Sequence, residues 1–260
     1  MWRIILLGLV QGLSEFLPIS SSGHLIVLRG FFGMVGRQGQ WEVALHGGTL
    51  LAIVAGYRHD LRDLIKGAVK GQSTSRKTIA LIIVATIPAL IVGYWLKSWI
   101  TQWFIPLAAG AGWLATTAAL WLTPDSEYGT KKIKDMSWGQ AVFIGLAQTL
   151  ALWPGLSRSG STIFAGRVLG LSPREAARFS FYMALPVIVG AMVLTFSSVS
   201  YWDTSIAVVA IGVGTAVISG IFAIKWVKHA LSATRLWRQF GWYTLILGIV
   251  TLWLGSGHGL

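Results

Sequence analysis

The chain has 260 residues, of which 54% are apolar and only 12% charged, and its mean hydropathy is +0.66. So few charges cannot cover a soluble globule of this size, whose charged share is normally about 25%, and so much apolar sequence excludes a disordered chain. The formal net charge is +12 with no cysteine, which excludes disulfides, thiol catalysis and thiolate metal sites.

The composition predicts a polytopic membrane protein. Its basic residues stand in short clusters between apolar runs. That is the pattern of topology signals and anionic-lipid contacts, and no basic surface domain is present to hold nucleic acid.

The chain opens on Met1-Trp2-Arg3 and an apolar run, as a signal peptide does. It has no small-residue cleavage site and continues into Glu15 and Pro18, so it is expected to stay in the protein. Residues 2–30 form an apolar stretch broken by Pro, Gly and serines, and residues 138–170 form another. Broken backbone at membrane depth is tolerated only where protein buries it or it lines a wet cavity, which predicts two re-entrant helical hairpins. Six apolar runs, near 43–57, 78–96, 103–123, 179–198, 205–226 and 240–256, are the candidate spans for a hydrocarbon core of about 30 Å. Fifteen of the 21 basic residues fall in segments 58–77, 124–137, 171–178 and 225–238. Six spans and two re-entrant hairpins put all four segments on one side, which the positive-inside rule makes the cytoplasm. Lys97 is the one basic residue in the outer loops near 97–102 and 197–204.

An offset of 137 aligns the two broken hairpins without a gap. Gly8, Leu9, Gln11, Leu13, Ser20, Ser22 and Gly23 match Gly145, Leu146, Gln148, Leu150, Ser157, Ser159 and Gly160. The expected architecture is therefore all-α: one integral membrane domain over 1–260, with six transmembrane helices and two re-entrant hairpins in inverted-topology repeats. Repeat one covers about 1–123 with its broken tip at 11–24. Repeat two covers about 138–260 with its tip at 148–162. Interrupted helices in both halves point to a site where the tips meet.

The first tip carries Glu15, the one carboxylate well inside an apolar segment, which must be paired, metal-bound or hydrated. Gln11 shares its helix face, and Pro18 ends that helix. Ser20, Ser21, Ser22 and Gly23 suit a turn that opens a new helix, whose free N–H groups can hold an anion. His24 can move protons or attack phosphorus. In the second tip, Arg158 offers a planar guanidinium suited to phosphate, set among Ser157, Ser159, Gly160 and Ser161. Gln11, Ser20, Ser22, Gly23, Ser157, Ser159, Gly160 and Ser161 are the candidate phosphate-binding residues. The chemistry is that of a phosphate or diphosphate group, with Glu15 able to hold a divalent cation. Plainer roles compete. Glu15 and Arg158 could be a structural lock, and serines also serve helix contacts in membranes. His46, beside Gly47 and Gly48, reads first as packing and second as functional. Glu42 is expected at the outer mouth, and Arg167 is expected to pair or line the cavity.

Gln11-x-x-x-Glu15, Pro18-x-Ser20-Ser21-Ser22-Gly23-His24 and Pro154-Gly155-x-Ser157-Arg158-Ser159-Gly160 resemble the bacterial undecaprenyl pyrophosphate phosphatases, also called bacitracin-resistance proteins. The resemblance extends through Trp41-Glu42-Val-Ala-Leu-His46-Gly and Phe179-Ser-Phe to Pro186. It implies hydrolysis of undecaprenyl diphosphate to undecaprenyl phosphate and inorganic phosphate, recycling the lipid carrier of cell-wall synthesis. It implies a divalent cation, Mg or Ca, with Glu15 as the metal residue, and Glu15, Ser21, His24 and Arg158 as the catalytic positions. The partners it implies are the polyprenyl diphosphate lipid and bacitracin competing for that substrate; a homodimer is one assembly the sequence leaves open, since it does not give the oligomeric state. The location it implies is the bacterial inner membrane, with the site open to the outer face. Gln11 stands at the first position of a Glu/Gln-x-x-x-Glu motif, which removes one carboxylate ligand. Attack by Ser21, attack by His24, and water activated by His24 all remain open at this point. A flippase or anion transporter, alone or combined with hydrolysis, is the rival reading, since inverted repeats with broken helices are a transporter design. His24 beside Ser21 speaks against it, because transport needs no nucleophile.

Overall fold

A computed structural model of the chain describes residues 1–33, 40–125, 127–196 and 205–258. Its regular elements are helices: α1 (Trp2–Phe16), α2 (Ser21–Phe32), α3 (Gln40–Gly56), α4 (Arg58–Val69), α5 (Ser73–Trp95), α6 (Lys97–Gln102), α7 (Pro106–Trp121), α8 (Trp138–Leu150), α9 (Arg158–Val168), α10 (Pro173–Phe196), α11 (Ile206–Leu231) and α12 (Thr234–Trp253). A β-bridge, Lys131 with Leu171, ties the loop before α8 to the loop after α9. The polytopic all-α expectation holds.

Among the described residues four helices are long and apolar enough to cross a membrane: α5, α10, α11 and α12, the last with the turn that extends it. The expected spans at 43–57 and 103–123 are helices of 17 and 16 residues, short of the about 20 that a full crossing takes. The second starts at Pro106 rather than at 103. Proline suits the first helical turn, where its missing N–H is not needed, and residues 97–102 form the separate helix α6. Helices α10 and α12 begin earlier than the apolar runs they contain, so Arg174, Arg178, Arg235 and Arg238 ride on the first two turns of each. The basic segment after α3 is itself the amphipathic helix α4. Its Leu61 and Leu64 pack on the core while Arg62 and Lys66 stay exposed. The expected loop at 197–204 and the side chain of Glu42 lie outside the described residues.

Each broken segment packs on a helix from the other half of the chain, α1 on α11 and α8 on α5. Both contacts run through glycines at matching positions. A β-carbon on Gly8 would stand 2.5 Å from the Gly212 carbonyl oxygen, and one on Gly145 would stand 2.4 Å from that of Ala85. Helix α7 lies along α12, and α3 packs against both α10 and α11. The main core gathers Phe16, Tyr57, Phe179, Phe181 and Tyr182, with the Phe16 and Phe181 rings edge to face at 5.6 Å. Arg167 is buried, and its guanidinium donates to the Leu171 and Asp125 carbonyl oxygens. It therefore ties loops together and does not line the cavity described next.

Candidate active site

Helix α1 stops because a residue before proline is pushed out of the helical region. Leu17 is extended at φ −64°, ψ 145°, ahead of Pro18. Two residues on, Ser20 takes φ +68° and caps α2, its hydroxyl accepting from the Gly23 N–H at 3.4 Å. The second tip repeats the device. Ser157 caps α9 and accepts from the Gly160 N–H at 3.1 Å. In both tips the capping serine lies 3.2 Å from the serine two residues on, Ser20 with Ser22 and Ser157 with Ser159. Gly155, at φ +83°, passes so close to the Ala109 carbonyl that a β-carbon would stand 2.0 Å from its oxygen.

The tips meet. The Ser159 hydroxyl donates to the Leu17 carbonyl at 3.2 Å, and the Gly155 N–H donates to Ser22 Oγ at 3.4 Å. Arg158 Nη2 donates to Glu15 Oε1 at 2.8 Å, and its Nη1 donates to the Ser180 carbonyl at 3.2 Å. Glu15 is 8% exposed and carries three further neighbours on Oε2: Ser21 Oγ donating at 2.7 Å, Gln11 Nε2 donating at 3.1 Å and His46 Nε2 at 3.8 Å. A serine hydroxyl on a carboxylate that an arginine orients is the geometry of an activated nucleophile.

A cavity of about 280 Å³ opens over this cluster. Its polar floor is made by Ser14, Glu15, Ser20, Ser21, Ser22, His46, Gln148, Ser157 and Arg158. Its walls are apolar, among them Leu25, Val43, Leu152, Phe104, Ile188 and Met192. A charged group on the floor with a hydrocarbon chain along the walls is the ligand chemistry this shape takes.

The predicted residues divide. Glu15, Ser21 and Arg158 come together on the floor with Ser20, Ser22 and Ser157. Gln11 is fully buried behind Glu15 and holds it. Gly23, Ser159, Gly160 and Ser161 are buried, and three of them hold the tips together. A β-carbon on Gly23 would stand 3.2 Å from Gly155 Cα of the second tip and one on Gly160 3.4 Å from Pro18 of the first, while Ser159 bonds Leu17. His24 turns away from the cavity floor. Its Nδ1–H donates to the Ser20 carbonyl at 2.6 Å, which leaves Nε2 to accept from the Tyr243 hydroxyl at 2.8 Å. Its ring stacks on Tyr243 and meets Trp113 edge on. The histidine on the floor is His46, which the sequence alone places first as packing. Its place in the second turn of α3 beside two glycines was the available signal.

A divalent cation finds one carboxylate on this floor, and both of its oxygens are engaged, one by a guanidinium. Among the described residues no three His, Asp or Glu side chains gather at metal-binding spacing. The protein's own groups therefore do not form an all-protein Ca²⁺ cage, whereas Glu15 together with substrate phosphates and waters is a donor set that would fit Mg²⁺; no step below passes through a cation.

The fold and the site together define a multi-pass membrane protein with a charged, hydroxyl-rich cavity floor at the junction of two broken helices. A family model described as bacitracin resistance protein BacA matches residues 4–250, and the chain belongs to that family. It is 38% identical to an undecaprenyl-diphosphatase of Desulfosudis oleivorans, over 96% of this chain and 97% of the relative. It is also 38% identical to one from Methanosphaera stadtmanae, over 95% of each chain. An Alkaliphilus metalliredigens undecaprenyl-diphosphatase is 36% identical over 96% of this chain and 97% of its own length. The comparisons lend the transport reading no support.

Proposed function

We propose that the chain hydrolyses undecaprenyl diphosphate to undecaprenyl phosphate and inorganic phosphate, with Ser21 as nucleophile and Glu15 as its base. The family and the relatives' names support the reaction. The observation that carries the residue roles is the 2.7 Å bond from Ser21 Oγ to a Glu15 carboxylate that Arg158 and Gln11 hold in place. The diphosphate sits on the floor against Arg158 and the capped starts of α2 and α9, where N–H groups and helix dipoles favour anions. The first prenyl units run along the apolar walls.

Ser21 Oγ attacks the terminal phosphorus. An O–P bond forms, the hydroxyl proton passes to Glu15, and the bridging P–O bond breaks to release undecaprenyl phosphate. Arg158 offsets the charge that develops on the phosphoryl oxygens. Water then attacks the phosphoserine. Its proton moves to His46, the remaining titratable group on the floor, and Glu15 returns a proton to Ser21 as phosphate leaves. In this reading the enzyme sits in the inner membrane with its cavity toward the outer face, and bacitracin inhibits by competing for the substrate.

Phosphate release from undecaprenyl diphosphate by the purified protein in detergent tests the reaction. Removing a general base costs about 10²–10⁴-fold, so Glu15→Gln should lose at least about 100-fold in kcat, and Ser21→Ala should lose at least as much. Mass mapping of quenched reactions should find phosphate on Ser21. Wild-type rates in Ser21→Ala would hand the attack to water, and a wild type inert toward polyprenyl diphosphates would end the reading.

A further inference from the structure

Gln11 and Gln148 occupy the same position in the two broken segments, 137 residues apart. Both are buried, at 0% and 2% exposure. Their surroundings differ in one respect that bears on ligand binding. Four residues after Gln11 stands Glu15, and Gln11 Nε2 donates to it. Four residues after Gln148 stands Leu152, which offers nothing polar. Neither Oε1 nor Nε2 of Gln148 has a hydrogen-bond partner among the described residues. A buried carboxamide left unpaired at both ends destabilises a folded chain, and such groups are rare without a reason.

Gln148 lies on the cavity lining together with Ser157, Arg158 and Glu15. The same asymmetry recurs at the tips, where Ser21 of the first faces Arg158 of the second at the matching offset. One half of the chain thus supplies the carboxylate and the hydroxyl. The other supplies a cation and a free amide, which are groups that hold an anion and perform no bond-breaking.

We propose that Gln148 is a binding residue for the substrate's diphosphate, donating Nε2–H to a phosphate oxygen beside Arg158, with Oε1 accepting from a water of the bound state. The proposal rests on the phosphatase reading of the cavity, and it gives the second broken segment a specific share in substrate recognition.

The test uses the full chain in detergent and a non-hydrolysable farnesyl methylenediphosphonate as probe. Gln148→Leu keeps the side chain's bulk and removes both polar ends, and Gln148→Met serves as a second apolar replacement. A hydrogen bond to a charged group is strong enough that each variant should bind the probe about tenfold or more weakly. In turnover the loss should fall mainly on KM. The thermal midpoint without ligand should stay level or rise, because an unpaired amide has been replaced by apolar atoms. Gln148→Glu, which sets a carboxylate against the diphosphate, should bind more weakly still.

Probe affinity within twofold of wild type in Gln148→Leu and Gln148→Met overturns the proposal alone. A lowered midpoint in both variants also overturns it, since Gln148 would then be structural. A wild type that fails to bind the diphosphonate overturns the phosphatase reading and the proposal together.

Discussion

Among the described residues Ser20 is the one non-glycine with positive φ, at +68°. A backbone held there costs about 1–3 kcal/mol and persists only where its surroundings enforce it. Here the enforcement comes from His24, whose Nδ1–H takes the Ser20 carbonyl while Tyr243 and Trp113 fix the ring. In the proposed mechanism His24 is therefore a positioning residue that acts through Ser20 to keep the next residue, Ser21, aimed at Glu15. The prediction separates that role from direct chemistry. His24→Ala should slow phosphate release by about tenfold, well below the about 10²–10⁴-fold that loss of a general base brings. Tyr243→Phe should do less. Quenched His24→Ala should still carry phosphate on Ser21. Phosphate mapped to His24 in the wild type would reverse the assignment.

At the scale of helices, the two broken segments are seated by close backbone approach. Gly8 lies against Gly212 of α11, and Gly145 lies against Ala85 of α5. Small residues let membrane helices approach this closely. Overpacking such a contact costs typically about 1–3 kcal/mol, so Gly8→Ala and Gly145→Ala should each lower the thermal midpoint in detergent. An unchanged midpoint in both would show that the helices shift without cost. The broken tips were legible because local chemistry marks them: Pro18 stops one helix, and Ser20 and Ser157 cap the next. The starts of α10 and α12 were not, because charged residues there continue a helix beyond the apolar run that signals it. The direction of His24 could not be read either, since it depends on Tyr243, 219 residues away in sequence. Glu15 with Arg158 was legible as a pair of buried charges that need each other. Gln148 was visible only as a repeat match, because its lack of a partner is a property of the packed structure.

Across the whole molecule, α10 joins two unlike ends. Near Ile188 and Met192 it walls the cavity that holds Glu15 and Arg158. About 24 Å down its axis from that upper wall, taking 1.5 Å per residue between Ala191 and Glu175, and past the Ser180 carbonyl that Arg158 holds at the cavity floor, it enters a charged network. There Arg178 stands 3.4 Å from Asp60 and 3.7 Å from Glu175. Lys228 Nζ sits 4.0 Å from the centre of the nearby Tyr57 ring. The basic segments gather at this second end, which the positive-inside rule assigns to the cytoplasm, and the proposed function accordingly has the cavity open toward the outer face. Because the chain has no cysteine, single cysteines report sidedness cleanly. Ser98 on α6 and Lys70 after α4 are both exposed and mark opposite ends. In intact spheroplasts a membrane-impermeant maleimide should label Ser98→Cys directly. It should label Lys70→Cys only after the membrane is opened. The reverse pattern would place the cavity on the cytoplasmic side, and the enzyme would then act on newly made lipid diphosphate rather than on carrier released at the outer face.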